Sequence, residues 1–251
     1  MLDATLQAGL ERIDQQRARC ARYRQHWSNQ APAAFLSPDA RDALDRRLQR
    51  LSVNFPRLVV SSHANRLALS GITHNGELAA DVWERFQQAG GGSVAELVHS
   101  DRLLFGAAYV TVWADDYGQP TLTGDTPETM TIARDIASGE AAWAVRRVDT
   151  DDGSRAVLYR PDSVQVWTTA TRDAAAAGDW KHVATLDNPL DTVPVVPFVR
   201  RLSLSDPETT GLSILDDITD LTDAIAKLLG DAMVTSEFHA RPRRWATGLE
   251  I

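Results

Sequence analysis

The sequence has little cysteine, little lysine and no long hydrophobic run. Its single cysteine, Cys20, excludes an internal disulfide and a multi-cysteine metal site and fits a cytosolic origin best. No stretch of about 18 apolar residues occurs, so we expect no membrane-spanning helix. The first five residues also lack the basic region and the apolar core of a signal peptide. These absences leave an ordinary soluble protein of one or two domains as the expectation.

The charge balance is acidic. Only two lysines occur, Lys181 and Lys227, and every other basic side chain is arginine; together with the many alanines, this indicates a GC-rich genome. The net charge of −8 argues against a general nucleic-acid binder, because such binding depends largely on Lys and Arg contacts with phosphates. An acidic surface is still compatible with DNA that slides past without sticking.

Apolar residues at helical spacing predict that the first third of the chain is helical. Ser37-Pro38-Asp39 is a typical helix start, Pro56 should kink or interrupt the chain, and Ser93 to Glu96 has the pattern of a capping box. We interpret the three glycines at residues 90–92 as an interhelical linker. The predicted helices are residues 2–24, 37–51, 58–69, 77–88 and 93–105.

From Ala107 onward the hydrophobic period changes from 3.6 to 2, which indicates strands. Strands are predicted at residues 107–114, 121–123, 129–133, 141–148, 155–159, 163–168 and 180–186, with an extended edge segment at 193–199 whose two prolines exclude a central position. A last amphipathic helix is predicted over residues 212–238. This order predicts an α+β fold in three parts: N-terminal helices (1–106), an antiparallel β-meander (107–202) and a long C-terminal helix (203–251).

One acidic motif could form a metal site. Asp216-Asp217-Ile218-Thr219-Asp220 spells DDxxD, and on a helix Asp216 and Asp220 would share a face and could hold Mg²⁺ against a diphosphate. A magnesium-dependent diphosphate enzyme is therefore an alternative hypothesis. The interpretation that we favour is structural: carboxylates near a helix N-terminus interact favourably with the helix dipole and keep the outer face of the helix solvated.

Two basic clusters also stand out. Arg241, Arg243, Arg244 and Trp245 form a basic and aromatic group that could contact DNA or RNA, or could simply follow a helix C-terminus. The run from Arg17 to Arg24 is interpreted as a solvated helix face or an interface. The six histidines have no HxxxH or HxH spacing, so no zinc site is expected, and the residues alone indicate neither a cofactor nor an active site.

Several segments resemble the portal proteins of tailed bacteriophages, in particular the siphophage subfamily of actinobacterial hosts. They occur in the order of that family and extend over nearly the whole chain: residues 35–41, 54–60, 104–110, 188–190 with 193–198, 223–229 and 236–248. The resemblance implies a non-enzymatic subunit of a ring of about twelve copies at one capsid vertex. It implies that double-stranded DNA passes through the ring without sequence-specific contacts.

The resemblance also implies partners and an incomplete chain. The partners are terminase, scaffold, major capsid and head-to-tail connector proteins, and the location is the virion vertex after assembly in the host cytoplasm. Residues 1–202 would belong to the wing and the last helix would lead toward the stem, with the clip and crown missing after Ile251. A truncated prophage fragment that interferes with portal assembly is a further alternative.

The last helix carries the expected contact surface. Leu221, Ile225 and Leu228 recur on one face, with Lys227 beside them, and we predict that this face packs against protein at a subunit interface or along the tunnel. An aspartate at position 228 would then bury an unpaired charge at a cost of several kcal/mol.

Overall fold

The computed structural model describes residues 3–31, 53–115, 117–174, 179–207 and 209–240. Its helices and strands follow the predicted α+β order, with antiparallel sheets throughout. The helices in these ranges are α1 (Ala4–Trp27), α2 (Phe55–Ala64), α3 (Ala80–Gln88), α4 (Gly91–Phe105) and α5 (Thr219–Ala240). The helix predicted at residues 37–51 lies outside the described residues.

The strands in these ranges form three sheets. The strands are β1 (Thr73–His74), β2 (Glu77–Leu78), β3 (Ala107–Ala114), β4 (Pro120–Asp125), β5 (Met130–Arg134), β6 (Ala141–Thr150), β7 (Gly153–Tyr159), β8 (Ser163–Thr169), β9 (Lys181–Asp187) and β10 (Val195–Val199). A short hairpin pairs β1 with β2, a three-stranded sheet has the order β10-β3-β4, and a five-stranded meander has the order β5-β6-β7-β8-β9. The proline-containing segment is an edge strand as predicted, because β10 pairs with no described strand other than β3.

Helix α1 packs along one face of the five-stranded sheet. Asp3 caps its first turn by accepting a hydrogen bond from the Thr5 amide (2.8 Å). The contact with the sheet is close at Gly9, where a Cβ would lie 2.4 Å from a methyl carbon of Val145. The apolar side of the helix therefore joins one core cluster with the sheet: Leu6, Leu10, Ile13, Val145, Ala156, Leu158, Trp167, Ala174 and Trp180.

Two of the further core clusters among the described residues connect the sheets and the helices. One lies between the three-stranded and five-stranded sheets and includes Tyr109, Met130 and Ile132. The other joins the C-terminal half of α1 to α2, to α4 and to the chain that leads into α5, through Cys20, Val60 and Leu215 among others. Burial of this last cluster fixes the position at which α5 leaves the body of the protein.

Several predicted helix boundaries are wrong. Pro56 does not interrupt α2 but lies in its first turn, where a proline needs no intrahelical hydrogen bond, and α2 ends at Ala64 instead of residue 69. Residues 77 and 78 pair as a strand, so α3 starts only at Ala80. The final helix begins at Thr219 and not at residue 212, because residues 214–218 form turns.

The glycine linker is the clearest of these corrections. Gly90 adopts the left-handed conformation (φ 76°) and Gly91 already belongs to α4, which has no side-chain cap, so the predicted capping box at Ser93 does not open the helix. A Cβ at Gly91 would lie 2.4 Å from the ring of Phe86. These glycines therefore allow α3 and α4 to meet at a tight corner.

Candidate subunit interface

The base of α5 is attached to α1 by polar contacts. Arg22 lies 3.1 Å from the Asp220 carboxylate, and Nε2 of the buried His26 lies 3.2 Å from the Asp223 carboxylate. Thr219 and Thr222 are buried on the side of α5 that faces the body. The first turns of α5 therefore have a fixed orientation.

The predicted contact face of α5 points away from these attachments. Leu221 is 62% exposed and Leu228 is 67% exposed, while Ile225 is half-buried. The three residues follow at intervals of four and three, which places them in one stripe along the helix. The described part of the chain does not cover this stripe, so its packing against protein stays a prediction.

Lys227 does not belong to the stripe. Its position next to Leu228 places it about 100° around the helix, and its ammonium group lies 3.0 Å from the carboxylate of Asp231, one turn further along. The basic and aromatic group at Arg241, Arg243, Arg244 and Trp245 lies outside the described residues.

The acidic motif lacks the helical geometry that magnesium binding needs. Its first carboxylate has a structural role. Asp216 and Asp217 precede α5, so Asp216 and Asp220 do not share a helix face. The Asp216 carboxylate accepts hydrogen bonds from the Tyr23 hydroxyl and from the Ser213 amide (2.9 Å). No group of three potential metal-binding side chains occurs among the described residues.

Tyr23 shares the environment of that carboxylate. Burial, together with the hydrogen bond donated to Asp216, raises the pKa of Tyr23 above its ordinary value of 10.0. The guanidinium of Arg19 lies 3.9 Å from the other Asp216 oxygen and donates to the Gly211 carbonyl (2.9 Å). The carboxylate is thus held by α1 and the turn before α5, which leaves it poorly placed to hold a cation.

The basic run of α1 makes contacts within the chain. Arg17 pairs with Asp149 (3.6 Å) and with Asp173, and Arg24 pairs with Glu128. These arginines connect α1 to the five-stranded sheet and to the turn before it, so they are not merely solvated, although the Arg24 side chain is still 53% exposed. An interface of this face with another protein stays a prediction. No sequence pattern pointed to these pairs, because the partners lie more than 100 positions away in the chain.

A second apolar face is open among the described residues. Helix α3 is amphipathic, yet none of its side chains is buried, and Val82 is 46% exposed. Its aromatic residues stack on each other, with the ring centroids of Trp83 and Phe86 5.6 Å apart. The hydrophobic pattern alone could not distinguish a face covered by the chain from one left open.

Comparison with known proteins places the chain in a family. Residues 14–251 match the family described as "Phage portal protein, SPP1 Gp6-like". The chain therefore belongs to this family of phage portal proteins, as the sequence resemblance predicted.

Two mycobacteriophage proteins show similarity over most of the chain. The portal protein of Mycobacterium phage D29 is 29% identical over 213 residues, which cover 79% of this chain and 42% of that protein. The portal protein of Mycobacterium phage L5 is 28% identical over 222 residues, 82% of this chain and 44% of that protein. The chain thus spans less than half the length of these relatives.

Among the described residues, no helix is both long enough and apolar enough to span a membrane.

Proposed function

We propose that this chain forms part of a subunit of a phage portal ring, a structural and non-enzymatic assembly at one capsid vertex. In this proposal residues 1–202 belong to the wing and residues 203–251 lead toward the stem. The observation that carries it is the open stripe of Leu221, Ile225 and Leu228 on α5, in a chain of the portal family.

The physical reason is the cost of leaving such a stripe in water. Each leucine that becomes fully buried contributes about 1.5–3 kcal/mol, and two of the three stripe residues are more than half exposed. Contacts that use different surfaces on the two partners close into a ring when the rotation per subunit fits. Because the base of α5 is attached to α1, every copy presents its stripe in the same direction.

The remaining features of the proposal follow the family. Double-stranded DNA passes through the ring during packaging and ejection, and the acidic net charge of −8 supports a channel that does not retain it. Terminase, scaffold, major capsid and head-to-tail connector proteins are the proposed partners. Assembly takes place in the host cytoplasm, with about twelve subunits as the proposed ring size.

The test is the particle mass of the 251-residue chain, measured by light scattering after size exclusion and supported by negative-stain images. We expect a closed ring for the wild type and loss of the ring for Leu228→Asp. The matched control is Leu204→Asp, in a loop where the leucine is 95% exposed, which should leave assembly intact.

The melting temperature separates assembly from folding. In the unassembled chain Leu228 is largely exposed, so Leu228→Asp should change the stability of the single chain by no more than about 0.5 kcal/mol. A wild type that stays monomeric at every concentration, or a Leu228→Asp variant that still forms rings, would contradict the proposed interface.

A further inference from the structure

Strand β9 forms an open edge of the five-stranded sheet. Among the described residues its single neighbouring strand is β8. Six of its seven side chains are exposed, including Val183 (59%) and Leu186 (52%). An edge of this kind presents unpaired amide and carbonyl groups to which another extended chain can add.

A row of polar side chains crosses the sheet toward this edge. Arg155 on β7 is opposite Thr168 on β8, and Thr168 is opposite Lys181 on β9. Directly opposed residues lie on the same face of a sheet, so the two cations flank one hydroxyl, with backbones roughly 10 Å apart. Both are exposed, and neither forms a salt bridge with any described residue.

Leu186 extends this surface along the edge. It is opposite Val164, which lies four residues before Thr168 on β8 and therefore on the same face. On β9 a register shift between these two positions brings Leu186 and Lys181, which are five residues apart, to that face. The surface thus offers an apolar side chain and two cations beside a strand edge. This combination suits a polypeptide better than a small ion.

The same end of the sheet contains a cleft of about 660 Å³. Thr168, Thr169 and Thr171 line it together with the two cations, and Asp152 and Asp179 lie in its wall. The two carboxylates balance the two cations, so the cleft lacks the excess positive charge that binds a polyphosphate. A single acidic side chain that reaches Lys181 and Arg155 from the β9 side can use the two cations without a second anion near the aspartates.

We propose that the β9 edge and the Arg155–Thr168–Lys181 row bind an extended segment of a partner protein with an acidic side chain. The segment adds its backbone to β9, directs a carboxylate over β9 to Lys181 and toward the long guanidinium side chain of Arg155, and packs an apolar side chain on Leu186. This site is separate from the stripe on α5, so it can succeed or fail independently of the proposed ring interface.

The test uses fluorescence anisotropy with the full chain and a labelled peptide of about eight residues that alternates valine and glutamate. The variant Arg155→Glu/Lys181→Glu reverses both charges in the row. The control Arg66→Glu/Arg85→Glu makes the same charge change at exposed positions on other elements. Two further probes are used. In the first, the lysine peptide, lysine replaces each glutamate; in the second, the methylated peptide, alternate backbone nitrogens of the valine–glutamate peptide (the glutamate peptide) are methylated.

We expect the glutamate peptide to bind the wild type and the control variant, and to bind the row variant at least about tenfold more weakly. The lysine peptide and the methylated peptide should lose binding, because each removes one of the two recognition elements. Equal loss in both variants, unchanged binding to the methylated peptide, or no binding of the glutamate peptide at about 1 mM would overturn the proposal. Binding of a short DNA duplex that depends on the same two cations would overturn it as well, in favour of a phosphate site.

Discussion

Asp101 provides the sharpest test of the electrostatics that the structure shows. This half-buried residue of α4 lies near Arg24 and Glu128, which pair with each other, and no described residue donates a hydrogen bond to its carboxylate. Burial, with a smaller contribution from the Glu128 charge, raises the pKa of Asp101 from 3.8 to about 6, although Arg24 acts in the opposite direction. We predict that Asp101→Asn stabilises the protein at neutral and basic pH.

The sign follows from the linkage between protonation and folding. A carboxyl group whose pKa is raised on folding is protonated more readily in the folded state, so its contribution to stability is most favourable below the unfolded pKa, near pH 4. That contribution declines as the pH rises through about 6. A shift of about two pKa units corresponds to at most roughly 3 kcal/mol. We therefore expect Asp101→Asn to raise the free energy of unfolding by about 1–3 kcal/mol near pH 8 and to have little effect near pH 4.

Urea unfolding at both pH values measures this difference. The control is Glu96→Gln, an exposed position on the same helix, which should change the free energy of unfolding by less than about 0.5 kcal/mol at either pH. An Asp101→Asn effect that is the same at both pH values, or a loss of stability near pH 8, would refute the argument from burial.

Two further substitutions test the packing of α1. Gly9→Ala should destabilise the protein by roughly 1–3 kcal/mol in thermal unfolding, because its Cβ would overlap Val145. Gly92→Ala, on helix α4, is the control, because the nearest atom to a Cβ there is the end of the flexible Gln87 side chain (3.2 Å), and an equal effect at both glycines would contradict the close contact. Asp14→Ala should cost about 3–5 kcal/mol in urea unfolding, because it removes the carboxylate that lies 2.6 Å from Arg147, whose side chain is 1% exposed. Asp14→Ala with Arg147→Met should recover part of that loss, and a double variant no more stable than the single one would argue against an uncompensated buried charge.

The β-meander was largely predictable because its signals are local. Each strand has a hydrophobic period of 2 and is bounded by turn residues, and the turn between β6 and β7, before Gly153, joins the two strands that the sequence indicated. The start of α5 was not predictable in the same way. Residues 212–218 have apolar side chains at helical spacing, yet Ser213 donates its hydroxyl hydrogen bond to the carbonyl of Leu104, more than 100 positions away. That tertiary contact favours a turn over a helix.

The candidate interface was likewise predictable where it depends on local sequence and not where it depends on tertiary contacts. The sequence predicted which residues of α5 share an apolar stripe, because that follows from helical periodicity alone. It did not predict which side of the helix the chain itself covers, since this depends on Arg22 and His26 of α1 meeting Asp220 and Asp223. These contacts show which side of α5 the chain covers, and the stripe lies on the opposite side.

The many arginines of α1 have a chemical role as well as a compositional origin. Arg19 donates to the carbonyls of Thr210 and Gly211 while it lies near Asp216, and Arg17 contacts two carboxylates and the Glu128 carbonyl. A guanidinium can make several such contacts at once because it presents five donors in a fixed plane, whereas a lysine ammonium acts as a single point charge. Through these contacts α1 connects the five-stranded sheet to the base of α5. A displacement of α5 would therefore break the arginine contacts of α1 before it disturbed the five-stranded sheet. Helix α1 is thus the element that fixes the direction of the proposed interface.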